Sequence, residues 1–269
     1  METEPMPTAF VRMGVTACRM GVLAGLKRGG GWLNVWLSGI KSAMTLSLPS
    51  PSLRHALMAP LALVVWGMAL GVLLWGTGVD VAIQVWLNAN YTQNFNGVMR
   101  LIGELGKGSL QAGVCLLAGF GWWLYNWLYG KVDCRRFMDI LGAVPVFAVA
   151  GTLNWLLKLG VGRGRPKEFL WEGTSPYAVN PFELSATWWS FPSGHSCSAF
   201  AIGVWLGFAF PRLRYLFWAL AALVSFSRFL ALTPHYFGDV VAGGSLGAGV
   251  AWAAWILWQH DKQEKMAQA

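Results

Sequence analysis

A histidine and a carboxylate lie four residues apart near the C-terminus, in a stretch that is otherwise apolar. His235 and Asp239 belong to "SRFLALTPHYFGDVV", residues 227–241, which also contains Arg228. Positions i and i+4 share one face of a helix, so we expect Asp239 to hold one imidazole nitrogen of His235 and leave the other free as a nucleophile. Ionisable groups are costly in membrane-embedded sequence, and these three residues therefore indicate a functional site.

A second polar segment, "KLGVGRGRP" at residues 158–166, supplies two more cations. Together with Arg228, its Lys158 and Arg165 suit an anion that carries several oxygens, and guanidinium groups match the geometry of phosphate. The cations therefore predict a phosphate-binding pocket.

A third segment, "FPSGHS" at residues 191–196, precedes an apolar run. If a helix begins there, the backbone N–H groups of Ser193 and Gly194 and the Ser193 hydroxyl lie at the positive end of its dipole and can face an anion. His195 then becomes the acid that protonates a leaving group.

Each of these features has a simpler explanation when taken alone. A single interfacial cation is usually a membrane anchor, which is our interpretation of Arg163 and Lys167. A single histidine at a helix start is usually a satisfied polar residue, and "PSGH" is also typical of a helix with a serine N-cap. The occurrence of three chemically complementary segments in one chain favours the phosphate pocket.

The composition indicates an integral membrane protein. Of 269 residues, 55% are hydrophobic and only 12% are charged, whereas a soluble domain carries about 25% charged residues. The net charge of +8 is explained by cytoplasmic Lys and Arg and by anionic lipid head groups, so no nucleic-acid partner is expected. The four cysteines show neither a zinc spacing nor a disulfide framework.

Apolar runs long enough to span a bilayer predict an all-α, six-transmembrane-helix bundle. They lie at roughly 55–77, 109–129, 137–159, 195–211, 215–233 and 237–258. We accordingly divide the chain into a basic, glycine-rich cytoplasmic or membrane-surface segment (1–54), a membrane domain (55–258) and a short cytoplasmic tail (259–269).

Most Lys and Arg residues fall on one side of these spans, which predicts that both termini are cytoplasmic. Six alternating spans then bring the ends that carry the three polar segments to the same outer surface. The small size and the lack of eukaryotic-style sorting signals favour the inner membrane of a bacterium, with the site facing the periplasm.

The three segments resemble the signature of the type 2 phosphatidic acid phosphatase superfamily. Its first part, a Lys, six residues and Arg-Pro, matches residues 158–166, and its second part, Pro-Ser-Gly-His, matches residues 192–195. Its third part, Ser-Arg, five residues, His, three residues and Asp, matches residues 227–239 with one residue more between Arg and His.

The additional residue makes a structural prediction. A continuous helix through "FLALTP" would turn Arg228 by about 100° from the family register, whereas a break near Thr233 and Pro234 would return it to the pocket. We therefore expect either a break at this point or an Arg228 that misses the site.

The resemblance implies a mechanism. His235 would attack phosphorus to give a phosphohistidine, Asp239 would orient its imidazole, and His195 would protonate the leaving oxygen and then activate water. Charge on the phosphoryl group would be stabilised by Lys158, Arg165, Arg228, Ser193 and Gly194. The family reaction implies no metal and no other cofactor.

A site at the membrane surface suits a lipid phosphate as substrate, and the sequence leaves its head group open. Lipid A, undecaprenyl diphosphate, phosphatidylglycerol phosphate and phosphatidate are candidates. A lipid phosphotransferase with the same intermediate, a non-catalytic lipid-phosphate binder and, less compatible with polar residues at one rim, a transporter are the alternatives. Aromatic residues of the 167–191 loop form either an interfacial belt or a lid. The oligomeric state is left open.

Overall fold

The structure is a computed structural model that describes residues 51–129, 139–232 and 234–267. Within these ranges the regular secondary structure is helical, and one isolated bridge joins Arg163 to Val179. The predicted all-α class is confirmed. The predicted N-terminal segment lies outside the described residues except for 51–54, which begin the first helix.

The described chain forms a series of helices. They are α1 (Pro51–Gly76), α2 (Val79–Ala89), α3 (Gln93–Glu104), α4 (Gly108–Leu128), α5 (Ala143–Val161), α6 (Pro166–Glu172), α7 (Gly194–Ala209), α8 (Arg214–Leu230) and α9 (Phe237–Ala267). The connection that precedes α7 is long, covering residues 173–193. Helix α9 continues through most of the tail that was predicted to follow it.

Each predicted span coincides with a helix, namely α1, α4, α5, α7, α8 or α9. Four helical segments of the described chain are long and apolar enough to cross a membrane: Pro51–Gly76, Asp139–Val161, Pro211–Leu230 and Phe237–Glu264. Helix α7 has 16 residues, fewer than the roughly 20 that span a bilayer core. The count of six spans and the cytoplasmic termini stay predictions.

Helices α2 and α3 were not predicted from the sequence. They contain 11 and 12 residues and lie between α1 and α4. Both carry polar side chains among apolar ones, and α2 buries Asp80 and Gln84 while α3 buries Asn96. They bring polar groups to one end of the bundle, where α3 packs on α8.

Helix α9 packs closely against both α1 and α7. Small residues make this possible: a Cβ at Gly67 would lie 2.0 Å from Ser245 Oγ, and one at Gly243 would lie 2.2 Å from the Ser193 carbonyl oxygen. Close backbone approach at small residues is how helices associate where lipid replaces water. The start of α9 is thereby fixed beside the start of α7.

The opposite end of α9 packs through aromatic rings. Trp205 of α7 lies with its ring centroid 5.2 Å from Trp255 and 6.4 Å from Trp258. Its indole N–H donates a hydrogen bond of 2.7 Å to the carbonyl of Asp139, just before α5. This contact ties α5, α7 and α9 together and leaves the other end free to form a pocket.

We predict that Gly247→Ala destabilises the protein, because the new Cβ would lie 2.0 Å from the Cys197 carbonyl oxygen, a backbone atom that cannot move aside. The expected loss is about 1–3 kcal/mol of unfolding free energy, measured by reversible unfolding in detergent. Gly151→Ala is the matched control, since a Cβ there meets nothing within 4 Å. Equal stability of the two variants would contradict the packing argument.

Candidate active site

The three polar segments meet where α5 ends, α7 begins and the α8–α9 connection passes. The Lys158 ammonium donates a hydrogen bond of 2.6 Å to the Trp189 carbonyl. The Ser193 N–H donates to the Asp239 carbonyl at 2.9 Å. Segments that are far apart in the sequence therefore form one site.

His235 lies outside the helix that carries Asp239, since α9 begins at Phe237. The expectation of a shared helical face is therefore wrong. The His235 Nδ1 atom lies 2.9 Å from the Ser190 carbonyl oxygen and 3.7 Å from Asp239 Oδ2. A carbonyl only accepts hydrogen bonds, so Nδ1 carries the proton and Nε2 has a free lone pair.

Asp239 is held by other groups than the imidazole. Its Oδ1 accepts a hydrogen bond of 2.6 Å from Arg163 Nη1. Its Oδ2 accepts from Ser190 Oγ at 2.5 Å and from the Tyr236 N–H at 2.9 Å. The distance of 3.7 Å between Asp239 Oδ2 and His235 Nδ1 is longer than a hydrogen bond. Ser190 links the two residues, because its hydroxyl donates to Asp239 and its carbonyl oxygen lies beside His235 Nδ1.

Arg163 is fully buried, so its interpretation as a membrane anchor is wrong. Its Nη1 donates to Asp80 Oδ2 at 2.9 Å as well as to Asp239. Its guanidinium carbon lies 4.5 Å from the ring centroid of Trp75 and 3.9 Å from that of Tyr236. Burial of a cation requires such compensation by charge and aromatic faces.

No pattern in the sequence points directly to these partners of Arg163 and Asp239. Asp80 and Arg163 are 83 positions apart, and Ser190 is 49 positions from Asp239. No local spacing links residues at such distances. The only available signal was a second arginine, Arg163, two positions before Arg165.

The three predicted cations lie around the histidines. Lys158 and Arg165 act electrostatically on both His195 and His235, and Arg228 acts on His195. Lys158 and Arg228 are buried. Charges grouped in this way, away from water, are suited to bind an anion.

Several inward nitrogens at this place have no hydrogen-bond partner among the residues that the structure describes. Three of them are Arg165 Nε, Arg228 Nε and His195 Nε2, and the neighbouring Arg163 adds its Nε and Nη2. Buried donors are normally satisfied, and an anion with several oxygens is the kind of ligand that can accept from Arg165, Arg228 and His195.

The chain breaks before His235, as the longer spacing allowed. Helix α8 ends at Leu230, Leu232 has a positive φ of 67°, and Pro234 lies in a bend. Thr233 is outside the described residues. Arg228 in the last turn of α8 faces Gly103 of α3, where a Cβ would lie 2.5 Å from Arg228 Nη1. Arg228 also acts electrostatically on His195 and interacts with Arg165, so it lies beside residues of the site although the helix breaks before His235.

Ser193 is the N-cap of α7, and its Oγ accepts from the N–H and the hydroxyl of Ser196 at 3.5 and 3.1 Å. Its own N–H donates to Asp239, so the expectation that this N–H faces an anion is wrong. Gly194 begins α7, and a Cβ there would lie 3.7 Å from Lys158 Cε. Gly194 keeps its predicted place at the N-terminus of the helix beside the ammonium group.

The aromatic residues of the 167–191 loop divide into two groups. Phe191 is buried and packs on Trp75 at 6.2 Å, and Trp189 Nε1 donates to the Glu183 carbonyl at 2.8 Å. Phe182 is 77% exposed. Phe191 and the half-buried Trp189 thus pack within the structure beside the site. For exposed residues such as Phe182, an interfacial belt and a lid both stay predictions.

No group of three or more His, Cys, Asp or Glu side chains suited to a metal ion occurs in residues 51–129, 139–232 and 234–267. The resemblance to the phosphatase superfamily implies no metal and no other cofactor, and these two expectations stay predictions.

Comparisons with known proteins agree with this site. A sequence model of the PAP2 superfamily matches residues 139–263, which contain all three polar segments. Two proteins named lipid A 1-phosphatase are similar: that of Rhizobium johnstonii is 37% identical over 114 residues, 42% of this chain and 46% of that protein. That of Rhizobium etli is 38% identical over 98 residues, 36% of this chain and 41% of that protein.

A solved structure supports the same conclusion. The transmembrane PAP2-type phosphatidylglycerolphosphate phosphatase from Bacillus subtilis superposes with a TM-score of 0.56 and 25% identity, over 76% of this chain and 96% of that one. The fold and site thus define a helical membrane protein with a histidine and cation site. Residues 139–263 match the PAP2 superfamily, and the described helices share their fold with a PAP2-type phosphatase. The chain's match spans less than half the length of the curated relatives.

We predict that His235 stays neutral well below pH 6.5, because burial lowers the pKa of its imidazole well below the usual value. The unfolded chain binds this proton more readily, so the stability that neutral His235 contributes is lost as the pH falls below about 6.5. Nitrogen-15 NMR of histidine-labelled protein, assigned with His235→Ala, should show the Nδ1–H tautomer at pH 5.5. An imidazolium signal at pH 6 would contradict this prediction.

Proposed function

We propose that this protein is an integral membrane lipid phosphatase that removes phosphate from a lipid phosphate or diphosphate through a phosphohistidine at His235. The observation that carries the proposal is the contact of 2.9 Å between His235 Nδ1 and the Ser190 carbonyl oxygen, which accepts a hydrogen bond and so favours the Nδ1–H tautomer. The unprotonated Nε2 is then available beside the charges of Lys158 and Arg165.

The first chemical step transfers the phosphoryl group to the protein. The Nε2 lone pair of His235 attacks phosphorus, the bond from phosphorus to the lipid oxygen breaks, and its electrons stay on that oxygen. His195 in its protonated form donates a proton to the leaving oxygen. The negative charge of a bound phosphate favours this protonated form.

The second step releases phosphate. His195 accepts a proton from water, the water oxygen attacks phosphorus, and the phosphorus–nitrogen bond breaks with its electrons returning to His235. Lys158, Arg165 and Arg228 offset the charge of the phosphoryl oxygens in both steps. This electrostatic stabilisation is the main contribution that a protein makes to phosphoryl transfer.

The choice of lipid follows from the relatives. Two curated relatives are named lipid A 1-phosphatase, and the solved neighbour is named a phosphatidylglycerolphosphate phosphatase. We therefore place lipid A first and phosphatidylglycerol phosphate and undecaprenyl diphosphate next. We place the protein in a bacterial inner membrane, and the distribution of Lys and Arg supports a site at its outer, periplasmic face.

A panel of lipids tests this function. Purified protein in detergent with EDTA is given each candidate lipid, and released inorganic phosphate is measured. We expect release from at least one lipid and a loss of about a thousandfold or more in His235→Ala, because the nucleophile is removed. His260→Ala is the control, since this histidine lies on α9 beside Glu264 at 3.5 Å, and it should retain activity within twofold.

The fate of the phosphate separates hydrolysis from the alternatives. Radiolabelled phosphate from the donor lipid should appear as inorganic phosphate. Label in a second lipid would instead identify a phosphotransferase. Lipid binding with no transfer, or full activity of His235→Ala, would overturn the proposed chemistry.

A further inference from the structure

Helix α2 lies outside the part of the chain matched by the superfamily model, yet it contacts the segment that carries the nucleophile. Asp80 Oδ1 accepts a hydrogen bond of 2.8 Å from the Gly238 N–H. Gln84 Nε2 donates to the His235 carbonyl at 2.9 Å. Both side chains are fully buried. Helix α2 thus holds the backbone on either side of Tyr236, although Gln84 and His235 are 151 positions apart in the chain.

Arg163 connects this helix with the carboxylate of the site. The same Nη1 atom donates to Asp80 Oδ2 at 2.9 Å and to Asp239 Oδ1 at 2.6 Å. The backbone carbonyl of Arg163 accepts from the Ser190 N–H at 3.0 Å. Arg163 therefore touches both residues, Asp239 and Ser190, that surround the imidazole of His235.

Two aromatic rings, those of Trp75 and Tyr236, pack against the guanidinium group of Arg163. Trp75 of α1 lies 4.5 Å and Tyr236 lies 3.9 Å from the guanidinium carbon, measured to the ring centroids. Arg163 has no exposed surface. Its Nε and Nη2 atoms have no hydrogen-bond partner among the described residues, and its two side-chain hydrogen bonds, both from Nη1, go to Asp80 and Asp239. The hydrogen-bonding contacts of this enclosed charge are therefore with the groups that hold His235.

We propose that Arg163 and Asp80 are positioning residues, which hold Asp239 and Ser190 and thereby the orientation of the His235 imidazole. The proposal rests on the proposed phosphatase function. Its consequence is that the pair determines the rate of phosphorus–nitrogen bond formation and has little effect on lipid affinity. A misplacement of about 1 Å in a reacting group costs about a hundredfold in rate.

Kinetics of conservative variants test this role. Asp80→Asn keeps the acceptor for Gly238 but removes the charge, and we expect kcat to fall about tenfold. Arg163→Gln should lower kcat about a hundredfold, with KM within twofold in both variants. Arg163→Lys keeps the positive charge but lacks the planar guanidinium group, so its kcat should lie between those of Arg163→Gln and the wild type. Lys167→Gln, which removes an exposed cation paired with Glu168 at 2.9 Å, is the matched control and should equal the wild type.

A double variant separates positioning from folding. The triad of Arg163, Asp80 and Asp239 has a formal charge of −1, and Arg163→Gln with Asp80→Asn leaves the same −1 on Asp239. This variant avoids the two unpaired carboxylates of Arg163→Gln and should fold, as measured by its thermal midpoint. Its kcat per folded protein should stay low. Recovery of wild-type kcat would show that only charge balance matters and would overturn the proposal.

Orthovanadate binding provides a readout that needs no lipid. Vanadate adopts the five-coordinate geometry of phosphoryl transfer, so its affinity reports how well His235 is oriented. We expect Arg163→Gln to bind vanadate at least tenfold more weakly than the wild type and Lys167→Gln to bind equally. If no lipid releases phosphate, the proposed function fails, and the vanadate affinities of the variants still test the positioning role. Equal vanadate affinity in Arg163→Gln and wild type, absence of vanadate binding in the wild type, unchanged kcat, or a rise in KM alone would overturn it.

Discussion

One guanidinium between two buried carboxylates is the interaction on which the site depends. Arg163 has no exposed surface and neither have Asp80 and Asp239, so water does not stabilise any of the three charges. A buried ion costs several kcal/mol unless it is paired and hydrogen-bonded, and removal of one partner costs about 3–5 kcal/mol. Asp80 lies on α2, Arg163 on the segment that follows α5, and Asp239 on α9. The positions of these three elements are thus coupled to one another.

The helical bundle makes this arrangement possible. Glycines allow α9 to approach α1 and α7 at backbone distance, as at Gly243 beside the Ser193 carbonyl. The hydrogen bond from the Ser193 N–H to the Asp239 carbonyl forms only at that separation. Close packing in a region facing lipid therefore places the polar groups, and the polar groups in turn join helices that have no hydrophobic driving force of their own in the membrane.

The site separates the groups that carry charge from His235, the proposed nucleophile. Lys158, Arg165 and Arg228 supply positive charge, while the Ser190 carbonyl fixes the tautomer of His235. Because His235 lies on a connection before α9, its orientation depends on neighbours from other elements and not on a helix. The geometry around His235 is preorganised by contacts from several elements, which is the condition for electrostatic stabilisation of a transferring phosphoryl group in the proposed reaction.

The sequence by itself determined the helical membrane class, the resemblance to the PAP2 superfamily and the identity of the polar segments, because apolar length and motif spacing are local properties. It also predicted the break before His235 as one of two outcomes, because Pro234 and the additional residue are local signals, and the structure decided between them. Helices α2 and α3 were missed, since short amphipathic segments do not have the length of a span. Only the tertiary structure decided that Arg163 is buried between Asp80 and Asp239 and that Ser190 holds His235, because these contacts join residues 45 to 83 positions apart. At such separations the pairing of charges depends on how the helices pack, which no local pattern specifies.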